Sequence, residues 1–269
     1  MEAHPTPKSE VEHPLDLCDG ALTFSAGGAL VQWRSGTWSR CLDGKKRINA
    51  VVRDDRGRLL VGCNGGRVLR GPPDALTPLA VASGDVASVA FLEGERWVCA
   101  GLEGEVLLMS GEDVVARCDT GRTLHAALAM KDGEALLVGD GVHRLTREGR
   151  VVTELEDVWL QSVAHFKDAV IAFGCGVGLS GKPTYAFRKD GRWEVMQLEG
   201  LDGEFVSIAV HEGGIWVSTA QGLHRFSESE PAREVSDLPC THVGVVGGRL
   251  VASGRGVAWV LEGGALQPL

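Results

Sequence analysis

The sequence predicts an all-β protein, a β-propeller of seven four-stranded blades, with six blades as the alternative count. The first observation behind this prediction is a pattern that recurs about every 38 residues along the 269-residue chain. The second is that each copy contains four short apolar runs separated by Gly or Asp turns. The third is the absence of any long stretch with helical periodicity.

The repeat is clearest where "RLLVGCNGGRVLR" (58–70) aligns without gaps with "RWVCAGLEGEVLL" (96–108). Five further segments follow the same plan, and the seven together place one residue of each in a single column, at Phe24, Gly62, Ala100, Gly139, Gly174, Ser218 and Ala252. The steps between these positions are 38, 38, 39, 35, 44 and 34 residues. Repeats of this length with four strands each are typical of propeller blades.

Each copy divides into four strands, as "INAVVRD", "RLLVG", "RVLRG" and "LTPLAVA" show for the second one. A single blade cannot bury both of its faces, so radial stacking is expected to bury each sheet against its neighbours around a central channel. We predict a loose N-terminal tail over 1–11 and a single propeller domain over 12–269. The predicted blades are 12–44, 45–82, 83–120, 121–156, 157–201, 202–237 and 238–269.

Composition narrows the class of protein. With 44% hydrophobic and 23% charged residues the chain is globular, and a formal net charge of −9 disfavours nucleic acid and suits a basic partner. Seven scattered cysteines give neither a zinc pattern nor a disulfide framework. The sequence shows no signal peptide and no run long enough to span a membrane, so we expect a cytoplasmic protein, without membrane association. The excess of Arg over Lys suits a GC-rich bacterial genome, and we expect a monomeric propeller.

Two copies, "SIAVHEGGIWVSTAQGLHRF" (207–226) and "INAVVRDDRGRLLVGCNGGRVLR" (48–70), resemble the two-component regulator propeller repeat. The pattern of that family is roughly an apolar strand, Asp-x-x-Gly, an apolar-Trp-apolar run, Gly-Thr, and then Gly-Leu-aromatic-Arg. The resemblance implies a β-propeller. Members of that family often serve as extracellular sensors of membrane kinases, whereas this sequence carries no sensor-kinase parts.

The first strands of the repeats align in a column that is mostly polar although the strands around it are apolar. A polar ring at the channel mouth could bind a ligand, an ion or a partner's side chain, or it could bond to water and to neighbouring backbone. Asp16 is a loosely aligned member, and the candidate binding residues are Asn49, His125, Gln161, Ser207 and His242. Ala87 holds the same column in the third copy.

Two loops are candidates for partner contact because function usually resides in loops on a rigid scaffold. The first is the Gly-rich insertion "GCGVGLSGKPT" (174–184), which lacks the Gly-Lys-Ser/Thr order of a phosphate-binding loop. The second is the basic cluster "GKKR" (44–47). The candidate residues are Lys45, Lys46, Arg47, Cys175, Ser180, Lys182 and Thr184. Four arginines that share a third-strand column raise the question of a second, basic surface: Arg70, Arg144, Arg188 and Arg225.

The function that the sequence favours is non-enzymatic binding of a protein partner through one propeller face, as an inhibitor, immunity or scaffold protein. One alternative is a small-molecule or ion sensor that uses the channel mouth. Another is a lactonase-like or lyase-like enzyme on the axis, for which the sequence gives no nucleophile elbow and one uncertain carboxylate. We predict no catalytic residue, no metal site and no cofactor.

Overall fold

The computed structural model describes the chain in eight segments, and all structural statements concern these: 12–16, 22–54, 56–177, 183–198, 205–219, 221–227, 230–254 and 257–269. Antiparallel strands dominate them, and two one-turn 3-10 helices at Asn64–Gly66 and Lys131–Gly133 complete the regular structure. No helix in these segments is long and apolar enough to cross a bilayer. The expected N-terminal tail, 1–11, lies outside the described residues.

The strands form six antiparallel sheets in a propeller. The first sheet comprises β1 (Glu12–Asp16), β2 (Leu22–Ala26), β3 (Ala29–Arg34) and β4 (Thr37–Asp43). The second comprises β5 (Ile48–Arg53), β6 (Leu59–Cys63), β7 (Arg67–Gly71) and β8 (Thr77–Val81). The third comprises β9 (Val86–Phe91), β10 (Arg96–Gly101), β11 (Glu105–Ser110) and β12 (Asp113–Asp119).

The fourth sheet is wider than the others and has six strands. They are β13 (Leu124–Ala129), β14 (Ala135–Leu145), β15 (Val151–Phe166), β16 (Ala169–Val177), β17 (Thr184–Lys189) and β18 (Arg192–Gln197). The fifth sheet comprises β19 (Phe205–His211), β20 (Gly214–Thr219), β21 (Gly222–Ser227) and β22 (Glu230–Ser236). The sixth comprises β23 (His242–Val246), β24 (Arg249–Gly254), β25 (Val257–Glu262) and β26 (Ala265–Pro268).

The propeller is confirmed, but the expected count of seven four-stranded blades is wrong, and the alternative of six is found. The expected fourth and fifth blades, 121–156 and 157–201, share one sheet. The reason is strand continuity: β15 runs as one strand through the predicted boundary after 156. Its first part pairs with β14 and its second part, from Val158 onward, pairs with β16.

The double-width sheet presents two strands to the propeller axis, whereas each of the other sheets presents one. Strand β13 contacts β9 on one side and β15 on the other, and β15 in turn contacts β19. The innermost strands therefore follow one another around the axis as β1, β5, β9, β13, β15, β19 and β23. This circle of strands forms the wall of the channel.

Apolar side chains between successive strand layers hold the propeller together. The largest fully buried ones include Trp97, Phe24 and Phe173. The circle closes where Phe24 of the first sheet packs in one cluster with Val251 of the last. Both sheets are built from strands consecutive in sequence, so closure rests on this apolar packing, in which each fully buried large side chain contributes about 1.5–3 kcal/mol.

Candidate functional site: the channel mouth

The turns between second and third strands and the connections between sheets lie at the same end of the propeller, which we call the channel-mouth end. The connection around Lys45 shows this arrangement. The Gly44 N–H donates to the Gly28 carbonyl at 2.8 Å, and the Asn64 N–H donates to the Arg47 carbonyl at 2.9 Å. Two strand-two-to-strand-three turns therefore flank one inter-sheet connection.

β-bulges in the innermost strands aim three of the five predicted ring residues, Asn49, His125 and Gln161, at the channel. In β5, Ile48 pairs with Cys63 and Ala50 with Gly62, which leaves Asn49 as an extra, unpaired residue. The same irregularity makes single extra residues of Ala87, His125 and Gln161 in β9, β13 and β15. A bulge redirects a side chain from the pleat, which explains a polar column within apolar strands.

Two glycines of second strands, Gly139 and Gly174, lie against the bulged strands. A Cβ atom built on Gly139 would lie 2.0 Å from the Thr123 carbonyl oxygen, and one on Gly174 would lie 1.9 Å from the Trp159 carbonyl oxygen. Only a residue without a side chain lets the bulged strand approach so closely. Gly139 and Gly174 therefore mark positions where the bulged strand approaches closely.

The bulged residues and their neighbours line a cavity of about 460 Å³ on the axis. All five predicted ring residues lie on its wall, together with small and apolar residues from the same strands. The lining residues are Asn49, Ala50, Val51, Val52, Ala87, Ser88, Val89, His125, Ala126, Ala127, Gln161, Ser162, Ser207 and His242. None of these side chains is an acid, a lysine or an arginine.

Several polar groups of the wall are used to connect neighbouring strands. The Asn49 amide donates to the Asn64 side-chain oxygen at 2.7 Å and to the Val86 carbonyl at 2.9 Å. The Ser207 hydroxyl donates to the Val243 carbonyl at 3.2 Å. In β19 the bulged residue is Val206, so Ser207 lies one position beyond the bulge. Asn49 and Ser207 therefore have a structural role, because each links its strand to the next innermost strand.

Two lining serines outside the predicted set have the same role as Ser207. The Ser88 hydroxyl oxygen accepts from the Ala127 N–H at 3.0 Å, and the Ser162 oxygen accepts from the Ile208 N–H at 3.3 Å. Each serine directly follows a bulged residue and links its strand to the next one around the axis. They satisfy backbone groups that have no partner in a sheet ladder.

The other two bulged polar residues, His125 and Gln161, carry buried atoms without a partner. Neither Nε2 of His125 nor Oε1 of Gln161 has a hydrogen-bond partner within the described part of the protein. Burial lowers the pKa of His125, so its imidazole is neutral at pH 7. A buried polar group left unsatisfied costs about 1–3 kcal/mol, which makes both residues unfavourable for the fold alone.

Sequence reasoning missed Trp159, which holds the His125 ring. The two rings meet edge to face with centroids 4.9 Å apart. Trp159 is 37% exposed at the channel-mouth end, an unusual exposure for so large an aromatic side chain. It lies two residues before Gln161 in an innermost strand, but the sequence carries no signal of its exposure.

The remaining axial candidates do not form a metal site among the described residues. His242 lies on the cavity wall. Asp16 is the last residue of β1, and its side chain lies outside the described part. No group of three His, Cys, Asp or Glu side chains that could bind a metal is found within the described segments.

The partner-loop candidates separate into three groups. Lys45, Lys46 and Arg47 are exposed at the channel-mouth end. Cys175 is half-buried in β16, and Ser180 and Lys182 lie outside the described residues. Thr184 does not belong to an exposed loop as predicted: it is fully buried because it begins β17, paired with Gly174 and Gln197.

The third-strand arginines do not form a basic surface. Arg70 pairs with Glu95 at 2.6 Å. Arg144 and Arg188 both pair with Glu154, at 2.8 and 3.0 Å. The fourth, Arg225, lies 5.5 Å over the ring of Trp216. Their charges are engaged in contacts within and between strands.

Comparisons with known proteins agree with this class of fold. No protein-family model matches the sequence, and neither does any curated protein. Among solved structures, the extracellular domain of the putative one component system BT4673 from B. thetaiotaomicron matches with a TM-score of 0.76 at 15% identity. The match covers 92% of this chain and 37% of that one, so the chain spans little more than a third of the BT4673 domain.

Two further matches have similar scores. The WD40 β-propeller domain of Doa1 has a TM-score of 0.74 at 12% identity, over 92% of this chain and 90% of that one. A chain of the Mitotic Checkpoint Complex has a TM-score of 0.75 at 12% identity, over 96% of this chain and 90% of that one. At these identities the likenesses establish the β-propeller fold.

Proposed function

We propose that the protein binds a protein partner through its channel-mouth end. The observation that carries the proposal is the exposure of three large apolar side chains there, Trp159, Leu238 and Val257, which are 37%, 36% and 40% exposed. Leu238 lies in the connection before β23, and Val257 begins β25 after a strand-two-to-strand-three turn. Exposed aromatic and aliphatic side chains at one end of a rigid scaffold are typical anchors of protein interfaces.

The loops that carry Leu238 and Val257 are adjacent. A Cβ atom on Gly254, which ends β24, would lie 2.6 Å from the Pro239 carbonyl oxygen. This contact places the end of β24 against the connection that contains Leu238. The two side chains therefore project from neighbouring loops and can contribute to one contact surface.

Charged groups of both signs surround these apolar side chains. Lys45, Lys46 and Arg47 are exposed in the connection between the first two sheets. Over the double-width sheet, the Arg122 guanidinium bonds to Asp140 at 2.9 Å. That hydrogen bond, with Glu156 and Asp157 also nearby, raises the pKa of Arg122.

Three carboxylates around one guanidinium leave this part of the surface acidic. Together with the net charge of −9, the excess of acid favours a partner whose contacting surface is basic. The structural neighbours support a binding role by fold, since one of them is part of a protein assembly, the Mitotic Checkpoint Complex. An inhibitor, immunity or scaffold role in a bacterial cytoplasm remains our proposal for this propeller.

The test is affinity capture from extracts with the full chain and its variants as bait. Trp159→Ala and Leu238→Ala remove apolar anchors, and Val115→Ala truncates an exposed apolar side chain on the outer strand β12 as a control. We expect one stoichiometric protein that the control retains. Loss of a hot-spot Trp should weaken its binding about 30-fold or more.

A second pair of variants tests the end of the propeller that is used. Lys45→Glu with Lys46→Glu reverses charge at the channel-mouth end, and Lys189→Glu with Arg192→Glu does so around the β17–β18 turn at the other end. The first pair should change the affinity and the second should not. A partner that is lost with the second pair and retained by Trp159→Ala would refute the proposed face, and capture of no stoichiometric protein would refute the proposed role.

A further inference from the structure

The interior of the channel differs in chemistry from the charged rim above it. The described side chains on the wall of the 460 Å³ cavity are Ala, Val, Ser, Asn, Gln and His. The volume lies within the range of about 300–1,000 Å³ that small-molecule sites occupy. A lone partner side chain would fill only part of such a space.

An ion entering this cavity would meet no compensating charge on the described wall. A cation would find no carboxylate and an anion no lysine or arginine among the lining residues. Removing a charge from water without a partner is unfavourable, so the described part of the wall disfavours ions. Polar groups without charge remain the chemistry that it can accommodate.

The polar groups available to such a molecule lie on two neighbouring strands. Asn49, Ser88, Ser162 and Ser207 are committed to bonds between strands. His125 Nε2 on β13 and Gln161 Oε1 on β15 have no such commitment within the described residues. Both side chains line the cavity, but the two atoms are buried, so a bound molecule reaches them only when the side chains turn toward it. The amide oxygen accepts a hydrogen bond, and the imidazole nitrogen donates or accepts according to its tautomer.

We propose that the channel binds an uncharged polar small molecule through His125 and Gln161, with Trp159 as the residue that positions the His125 ring. The ligand carries at least one hydroxyl or amide N–H to donate to Gln161 Oε1, and a second polar atom to pair with His125 Nε2. Amides and polyols have this chemistry. Trp159 belongs to both proposals, but the variants that test this one, at Gln161 and His125, leave Trp159 and the exposed rim unchanged.

The experiment measures binding of matched neutral and charged molecules to the full chain by saturation-transfer NMR. One series is nicotinamide, its anionic analogue nicotinate and its cationic analogue 1-methylnicotinamide, and a second pair is glucose and glucuronate. Each series keeps the size nearly constant while the charge changes. We expect the neutral members to bind at least about tenfold more tightly than their charged analogues, because the described residues of the wall offer no counter-charge.

Variants tie the binding to the named atoms. Gln161→Leu keeps a similar volume and removes the amide, and it should weaken binding of the neutral molecules about tenfold. The same substitution at the exposed Gln197 on β18 is the matched control and should change nothing. Thermal unfolding of both variants shows whether a loss of binding reflects a loss of fold.

Three outcomes would overturn the inference. One is equal or tighter binding of the charged analogues. A second is unchanged binding of the neutral molecules in a folded Gln161→Leu variant, and in His125→Phe as an independent second variant. The third is no binding of either neutral compound up to its solubility limit. A protein partner could still bind the rim in each case, so these failures do not bear on the proposed face.

Discussion

Replacing Glu154 with Ala should destabilise the protein strongly, because this one carboxylate connects the two halves of the double-width sheet. Glu154 on β15 accepts from Arg144 Nε on β14 at 2.8 Å and from Arg188 Nη2 on β17 at 3.1 Å. It also accepts from Trp193 Nε1 on β18 at 2.9 Å. Its side chain is only 13% exposed.

The expected magnitude follows from what each partner loses. Hydrogen bonds to charged groups contribute about 1.5–3 kcal/mol each, and removing one member of a buried ion pair costs about 3–5 kcal/mol. Both arginines are partly exposed, and Arg144 keeps a bond to Glu134 at 2.8 Å, which reduces the loss. We therefore expect Glu154→Ala to lower the free energy of unfolding by roughly 2–4 kcal/mol, or Tm by roughly 5–10 °C.

Thermal and urea unfolding followed by circular dichroism measure this effect. Glu154→Gln keeps an acceptor oxygen, so it should lower the free energy of unfolding by about half as much as Glu154→Ala. Glu194→Ala on β18 removes an exposed carboxylate and should change the stability by no more than about 0.5 kcal/mol. In a double-mutant cycle, Glu154→Ala and Arg188→Met should show a coupling of about 1–3 kcal/mol. Equal effects of Glu154→Ala and Glu194→Ala would refute the account of this carboxylate as the connection.

Three further predictions test the bulges and the titrating groups. Gly139→Ala should lower stability by roughly 1–3 kcal/mol or more in urea unfolding, because its methyl group would meet the Thr123 carbonyl; a neutral effect would contradict the bulge geometry. Hydrogen bonds from Arg70 and Arg58 lower the pKa of Glu95 in the folded protein. Its contribution to the free energy of unfolding is therefore fully present above the unfolded pKa near ~4.3, and it is lost as pH falls through the lower folded pKa. Glu95→Gln should therefore reduce the difference in Tm between pH 7 and pH 3, and an unchanged difference would argue against this. Burial lowers the pKa of His125, so NMR titration should give this residue a pKa below ~6.5. The stability of the protein should then decrease as pH falls below ~6.5, because the unfolded chain takes up the proton first. A pKa of His125 at or above ~6.5 would contradict its burial.

The repeat pattern predicted the strands well because each blade is a local unit whose residues alternate with turns. The predicted second blade, 45–82, matches β5 to β8. What the pattern could not show is that no turn separates the expected fourth and fifth blades. Asp157 has a positive φ of 59°, a conformation that a turn signal would assign to Gly or Asn, yet hydrogen bonding continues through β15 on both sides of it. Continuity of a ladder depends on long-range pairing, which a local pattern does not encode.

The ring of candidate residues was predictable because aligned strands place equivalent positions at the same height on the axis. The alignment could not divide the ring by role, since that depends on contacts between neighbouring strands. Asn49 and Ser207 bond to backbone across the channel wall, whereas His125 Nε2 and Gln161 Oε1 have no partner among the described residues. Trp159 was missed for a similar reason, because an apolar side chain in a strand gives no indication of its exposure.

Ala87 sharpens the distinction between residues that the fold needs and residues that it does not. It occupies the bulge of β9, the position that His125 and Gln161 occupy in β13 and β15. A bulge in this propeller is therefore compatible with a side chain that has no polar atom. His125 and Gln161 bury polar atoms where Ala suffices, and within the described residues no hydrogen bond to these two atoms offsets the cost in stability. Local violations of this kind are characteristic of functional sites, and they direct attention to the cavity wall between β13 and β15.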